Sequence, residues 1–154
     1  MKKTGELFEL WNKKKNEIDI FGDGFKKVVV GEIWVCTIGV NIGNEISKDG
    51  DFLRPVLIVG NYMGGDLVSI IPITTKYKKQ YSKFLLEIDD YYNKGLSRKS
   101  YLSLNNFKTI SKKRLVYKIN NTYKINKYFK LLSKNFINKI LEDIFNLNKK
   151  ITLR

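Results

Sequence analysis

Apolar residues along this chain occur in short runs that are separated by polar segments rich in glycine, asparagine and aspartate. Runs of this kind, bounded by turn residues, are typical of strands. The predicted strands are residues 32–38, 53–59, 67–73, 84–88, 101–104, 107–110 and 114–119. The segments 101–104 and 107–110 are either two strands or one bent strand. Residues 39–52 are polar and contain three glycines, which predicts a long, mobile loop.

Apolar positions at three- and four-residue spacing predict a helix near each end of the chain. In the first, residues 4–17, we expect Leu7, Leu10 and Trp11 to share a face that is buried against the barrel or in a dimer interface. The second begins near residue 127, with Ser133 as a candidate N-cap. Its expected buried face consists of Phe136, Ile137, Ile140, Leu141, Ile144 and Phe145. The sequence therefore predicts an α+β fold with a small β-barrel-like core.

The composition fits one domain with a basic surface. The chain has 154 residues, of which 43% are hydrophobic, and this is enough to bury a core. Its 29 lysines and arginines exceed its 15 acidic residues, giving a net charge of +14 that favours a polyanionic partner. No apolar run is long enough to span a membrane and no signal peptide is recognisable, so a cytoplasmic location is expected.

The residue types that are missing exclude several kinds of chemistry. The chain has no histidine and one cysteine, which excludes histidine-based hydrolases and sites that bind metal through histidine or thiolate. No glycine-rich nucleotide motif is present. Neither a metal nor a cofactor is predicted. Cys36 is expected to be an inert strand residue, and the adjacent pair Asp89 and Asp90 is expected to lie in a solvated loop.

Two polar residues at strand ends are the main candidates for chemistry. Arg54 opens an apolar strand and Thr74 ends another. A guanidinium at a strand end can bind phosphate through its planar fork, whereas the simpler interpretations are a surface salt bridge for Arg54 and an ordinary β-branched strand residue for Thr74. Residues 76–81 form a basic loop with two tyrosines, which could bind a polyanion or could be ordinary solvated charge with tyrosines that cover the core. A second basic cluster comprises Lys108, Lys112, Lys113 and Arg114.

Four sequence blocks resemble those of the MazF/PemK toxins of type II toxin–antitoxin systems. They are GEIW at 31–34 with GNE at 43–45, RPVLIV at 54–59, IPITT at 71–75, and the looser NFKTISKKRL at 106–115. The resemblance implies an SH3-like β-barrel of the MazF/CcdB type that forms a homodimer. It divides the chain into an N-terminal helical extension (1–30), a toxin domain (31–148) and a tail (149–154).

The family resemblance also implies an activity and its partners. Such toxins cleave single-stranded RNA without a metal, and a cognate antitoxin inhibits them by laying an acidic, disordered segment across the RNA groove. Arg54 and Thr74 match the active-site pair of the family, and Glu45 is a candidate base or a residue that orders its loop. Expected RNA-binding residues are Asn44, Thr75, Lys76, Tyr77, Lys78, Lys79 and Lys108. Thr75 could instead be an outward strand residue.

Some positions depart from the family pattern. Asn44 stands where many members have a histidine, and Ser103 and Asn105 stand where some have an arginine and an aspartate. Lys108 replaces an arginine and Ser111 an aspartate. Two alternatives to a nuclease therefore stay open: a non-enzymatic toxin resembling CcdB, which binds DNA gyrase, and a relative that binds RNA or antitoxin without cutting.

Overall fold

The structure is a computed structural model that describes residues 3–43, 45–48, 50–62, 64–119, 138–139, 141–143 and 145–146. Its elements are, in chain order, α1 (Gly5–Phe21), β1 (Ile33–Thr37), β2 (Leu53–Asn61), β3 (Leu67–Thr74), β4 (Leu85–Glu87), β5 (Tyr101–Ser103), β6 (Lys108–Ser111) and β7 (Leu115–Lys118). Short 3-10 helices occupy Lys79–Phe84, Leu104–Asn106 and Lys112–Arg114. Each strand lies where an apolar run predicts it. The helix at Leu104–Asn106 makes β5 and β6 two strands rather than one bent strand.

The strands pair antiparallel in the order β4-β5-β3-β2-β1-β7, and β6 pairs with β3 beside β5. The first half of β3, Leu67–Ile70, pairs with β6, and Ile73 and Thr74 at its end pair with β5. The expected α+β fold is confirmed, although the sheet is not closed across the described residues. In the part of the chain that the structure describes, no helix has the length and apolar character needed to cross a membrane.

Both faces of the sheet are covered, because side chains alternate between two apolar clusters along each strand. Along β2, Val56 and Ile58 belong to one cluster, called here the site-side cluster, while Leu57 and Val59 belong to the other. Cys36 of β1 is fully buried in the site-side cluster, and burial raises the pKa of its thiol to about 12. Its predicted strand position is confirmed. Because the thiolate is the reactive form, the thiol is unreactive at neutral pH.

Helix α1 packs on the domain through one aromatic anchor. Thr4 caps the helix by accepting a hydrogen bond from the Leu7 amide (3.3 Å). Trp11 is buried and packs against Phe52, with the ring centroids 5.3 Å apart. Leu7 is partly buried against the domain, whereas Leu10 is 58% exposed in the single chain, so of the two expected locations for Leu10 only a dimer interface stays a prediction. Leu10 precedes Trp11 by one position and points about 100° away from it around the helix.

Helix α1 also extends beyond residue 17, to Phe21, because Ile18 continues the face that Leu7 and Trp11 begin.

At the C-terminal end, the described residues between 138 and 146 are helical, as predicted. Leu141 is 41% exposed and Phe145 is 65% exposed in the single chain, so the structure does not bury these two members of the expected apolar face. The described residues place no element over them. Ser133, Phe136, Ile137, Ile140 and Ile144 lie outside the described residues, as does the tail 149–154.

Candidate functional site

Arg54 and Thr74 lie side by side at the ends of β2 and β3. The two strands pair antiparallel with Val56 opposite Pro72, and the same register continued by two residues puts Arg54 opposite Thr74. The guanidinium confirms this proximity, because Arg54 Nη1 lies 3.4 Å from the carbonyl oxygen of Ile73 and donates to it. Opposed residues point to the same face of a sheet, so both side chains lie on the face of the site-side cluster.

The Arg54 guanidinium is partly buried and is held by backbone carbonyls. Nη2 donates to the carbonyl of Ser47 at 2.9 Å, whereas the buried Nε has no hydrogen-bond partner among the described residues. Burial lowers the pKa of Arg54, because removal from water disfavours the charged form. The ion pairs of the described residues do not include Arg54. The described ion pairs therefore do not support the interpretation of Arg54 as a surface salt bridge. Its charged guanidinium faces the site without a counter-ion among the described residues.

Thr74 is half-buried, and its hydroxyl accepts a hydrogen bond from the Lys76 amide at 3.2 Å. This contact fixes the turn that follows β3 and leaves the hydroxyl proton able to point towards a ligand. Thr75, the next residue, is exposed. A phosphate placed beside Arg54 can therefore meet a hydroxyl donor from Thr74 on the same face of the sheet.

Two further cations and one carboxylate lie near Arg54. Lys108, opposite Ile70 in the β3–β6 pair, is half-buried on the face of the site-side cluster. Its pKa is lowered mainly by burial and then by the charge of Arg114, with a smaller effect from Arg54, while Glu45 acts in the opposite direction. Arg114 Nη1 lies 3.5 Å from the carbonyl oxygen of Thr37, the residue that follows the register partner of Arg54. The site is therefore strongly cationic.

The loop at residues 39–52 carries Glu45, and its described residues make several hydrogen bonds within the loop. The Asn41 amide donates to the Ser47 hydroxyl at 2.9 Å, and the Asn41 side chain donates to the Ile46 carbonyl at 2.6 Å. Glu45 itself is exposed, and the loop is tied to Arg54 through the Ser47 carbonyl rather than through the Glu45 carboxylate. Asn44 lies outside the described residues.

A family model described as the PemK-like, MazF-like toxin of type II toxin–antitoxin systems matches residues 30–144. The match covers Arg54, Thr74 and every strand of the sheet. The chain belongs to this family. A comparison with curated proteins finds no match.

Solved structures of a MazF toxin and of two endoribonucleases are similar to the chain at low identity. The toxin MazF-mt6 of Mycobacterium tuberculosis is 21% identical, with a TM-score of 0.45, over 72% of this chain and 96% of the toxin. A mycobacterial endoribonuclease in complex with its cognate antitoxin is 18% identical, with a TM-score of 0.48, over 79% of this chain and 97% of that one. Another mycobacterial endoribonuclease is 16% identical, with a TM-score of 0.49, over 82% and 95% of the two chains.

The basic loop of this MazF-like chain begins beside Thr74 and is open to solvent. Thr75, Lys76, Tyr77, Lys78 and Lys79 are all exposed. The Tyr77 ring packs at a tilt against Tyr101, the register partner of Thr74, with the centroids 5.4 Å apart. An exposed ring held this way can present a face to an unpaired base.

Three of the departures from the family pattern, Ser103, Asn105 and Ser111, make hydrogen bonds with neighbouring side chains. The Ser103 hydroxyl donates to the side-chain oxygen of Asn105 at 3.1 Å and accepts from the Asn106 side chain at 2.8 Å. Ser111 donates to the Asp66 carboxylate at 2.8 Å and caps the turn at Lys112–Arg114. These residues therefore have structural partners in place of an acid–base pair.

Two contributors to the site were not singled out from the sequence. Ser47 holds Arg54 through a backbone carbonyl, which no side-chain pattern can reveal. Arg114 was noted only as part of a basic cluster, and its place beside Thr37 depends on the pairing of β1 with β7.

Proposed function

We propose that this MazF/PemK family toxin is a metal-independent endoribonuclease that cleaves single-stranded mRNA at selected sequences. The observation that carries the proposal is the adjacency of Arg54 and Thr74, with a partly buried guanidinium whose described partners are two carbonyls. Carbonyl contacts of this kind are neutral, so an incoming phosphate would gain a charge-assisted bond to Arg54.

In the proposed reaction, the 2′-oxygen of the RNA attacks the adjacent phosphorus and the bond to the 5′-oxygen breaks. The 2′-hydroxyl proton passes to a base, and the leaving 5′-oxygen gains a proton, so the products are a 2′,3′-cyclic phosphate and a 5′-hydroxyl. Arg54 stabilises the negative charge that develops on the phosphorane oxygens, and Thr74 donates a hydrogen bond to the same group or orients the 2′-hydroxyl. Glu45 is the candidate base.

The surrounding cations bind the rest of the strand. Lys76, Lys78, Lys79 and Lys108 attract phosphates without reading sequence, and Tyr77 offers a ring on which a base can stack. Asn44 and Thr75 are also proposed to contact the RNA. The same cationic surface suits an antitoxin with an acidic, disordered segment, which would inhibit by occupying the RNA groove. We propose a homodimer as the working form.

The test is to incubate the purified protein with a long single-stranded RNA in EDTA and to analyse the 3′ ends. Discrete cuts that end in cyclic phosphate are expected. Arg54→Ala should lower the cleavage rate by about 10²–10³-fold, which is typical of losing one transition-state donor. Arg98→Ala is the matched control, because Arg98 is exposed and carries the same charge. Full activity of Arg54→Ala would refute the mechanism.

The neutral hydrogen-bond network at Ser103, Asn105 and Asn106 favours one alternative hypothesis. In this alternative, the protein is a relative that binds RNA or antitoxin but does not cut RNA. The network occupies positions where some family members have an acid–base pair. Intact RNA after incubation with well-folded, antitoxin-free protein would favour this alternative, provided that the protein still binds the strand.

A further inference from the structure

Helix α1 brings additional positive charge to the edge of the candidate site. The helix ends at Phe21, before residue 30, where the family match begins. It contacts the turn at Lys112–Arg114, the second basic cluster of the sequence. Lys113 Nζ donates to the Asp19 carbonyl at 2.6 Å and contacts the Asp19 carboxylate at 3.1 Å, which fixes the helix against this turn.

A pocket of about 170 Å³ lies between the helix and the turn. Its lining residues are Lys15, Ile18, Asp19, Ser111, Lys113 and Arg114. Three of them are cations and one is an acid, so the pocket carries an excess of positive charge. Lys15 and Arg114 also lie over the Trp11 ring, at 6.0 Å and 5.5 Å from its centroid, which holds both side chains near the pocket.

Arg114 connects this pocket to the candidate active site. Arg114 lines the pocket, and its guanidinium approaches the Thr37 carbonyl, one residue beyond the register partner of Arg54. Its charge acts on the pKa of Lys108, which also responds to the charge of Arg54. Arg114 therefore lies between the pocket and the cations of the candidate site.

We propose that this pocket is an additional phosphate-binding subsite, which takes a backbone phosphate of the RNA strand bound at Arg54. The proposal rests on the proposed function. An RNA phosphate fits the lining better than an acidic protein segment does, because Ile18 is the only apolar residue among the six that line the pocket. Protein partners usually bury apolar anchors, whereas nucleic acids are held through phosphate contacts. Trp11, the aromatic residue beside the pocket, is buried, so its ring is not available to stack on a base.

Lys15 provides the cleanest variant because it is exposed and lies on the pocket face of α1. Lys13 is the matched control. It is also exposed, and it lies two positions away on the same helix, about 200° around from Lys15. Asp19→Asn removes the negative charge of the pocket. Glu6→Gln is its control, because Glu6 is exposed and lies about 140° around the helix from Asp19.

Binding is measured with 2′-O-methyl oligouridylates of about four and about twelve nucleotides, over a range of salt concentrations. These strands lack the free 2′-hydroxyl, so binding is read without cleavage. Lys15→Gln should weaken binding of the longer strand about two- to fivefold and reduce the salt slope by about 0.7, the loss of one phosphate contact. Lys15→Arg should restore binding, and Asp19→Asn should strengthen it. The shorter strand should be unaffected.

Equal losses for Lys15→Gln and Lys13→Gln would overturn the proposal, since only net charge would then matter. No loss for either variant would also overturn it. A polyglutamate peptide whose binding depends on Lys15, while oligouridylate binding does not, would assign the pocket to an acidic protein segment instead. Failure of the nuclease proposal is distinguishable, because it appears as uncut RNA in the EDTA assay while the binding differences remain measurable.

Discussion

Gly39 lies where α1 meets the loop that carries Glu45. Replacing Gly39 by alanine gives the sharpest test of how α1 packs on the rest of the domain. The residue has a φ of +78°, a conformation that L side chains rarely adopt. A Cβ built there would lie 2.1 Å from Trp11 Cε2 and 2.2 Å from Cζ2. The indole cannot move aside easily, because it is 4% exposed and packs against Phe52.

Two effects contribute to the expected loss of stability in Gly39→Ala. The left-handed backbone conformation costs about 1–2 kcal/mol for a residue with a Cβ. Forcing an extra methyl group against a packed ring costs about 1–3 kcal/mol more. The free energy of unfolding should therefore fall by about 2–5 kcal/mol, a large part of the stability of a small domain.

Urea unfolding followed by circular dichroism measures this loss, with Gly50→Ala as the control. Gly50 has a φ of +67°, but a Cβ there would meet nothing within 4 Å, so only the backbone cost of about 1–2 kcal/mol applies. In a Trp11→Ala background, the additional cost of Gly39→Ala should disappear. Equal losses for Gly39→Ala and Gly50→Ala in the wild-type background would refute the reasoning.

Two further predictions concern the core and helix α1. Burial raises the pKa of the Cys36 thiol from 9.0 to about 12, so the folded chain keeps a proton that the unfolded chain releases. Stability should therefore fall as pH rises from about 9 towards 12, by up to about 1.4 kcal/mol per pH unit from this group, and Cys36→Ala should remove this component in urea unfolding across that range. An equally steep pH dependence in the variant would contradict the assignment. Leu10→Ser should change stability by less than about 0.5 kcal/mol in thermal unfolding, because Leu10 is 58% exposed; a larger loss would mean that a partner covers it.

The sheet could be predicted from the sequence because its strands are apolar runs bounded by turn residues. The adjacency of Arg54 and Thr74 follows from the register of β2 and β3, which the sequence leaves open until the pairing is known. The hydrogen bonds that Asn41 makes with Ser47 and Ile46 within the loop at residues 39–52 could not be predicted, since they depend on how the loop folds back on itself. Composition alone indicates mobility there.

The packing of α1 shows what an apolar pattern leaves open. The pattern identified the helix, and Leu7, Leu10 and Trp11 are all compatible with one broad stripe, but Leu10 does not pack on the single chain. Which edge of such a stripe is buried depends on the surface it meets. Here that surface is formed by Val40 and Phe52, and it admits Trp11 only because Gly39 has no side chain.

The environment of Arg54 is unfavourable for the stability of the fold. Its guanidinium is partly buried, its Nε is without a described partner, and it lies near Lys108, whose pKa is lowered by the charges of both Arg114 and Arg54. An unsatisfied buried donor costs about 1–3 kcal/mol, and like charges in proximity raise the free energy of the folded state further. An anion bound among these three cations would relieve both costs at once. The same features that weaken the fold at this edge of the sheet would favour phosphate binding, and they support the proposal that the chemistry takes place there.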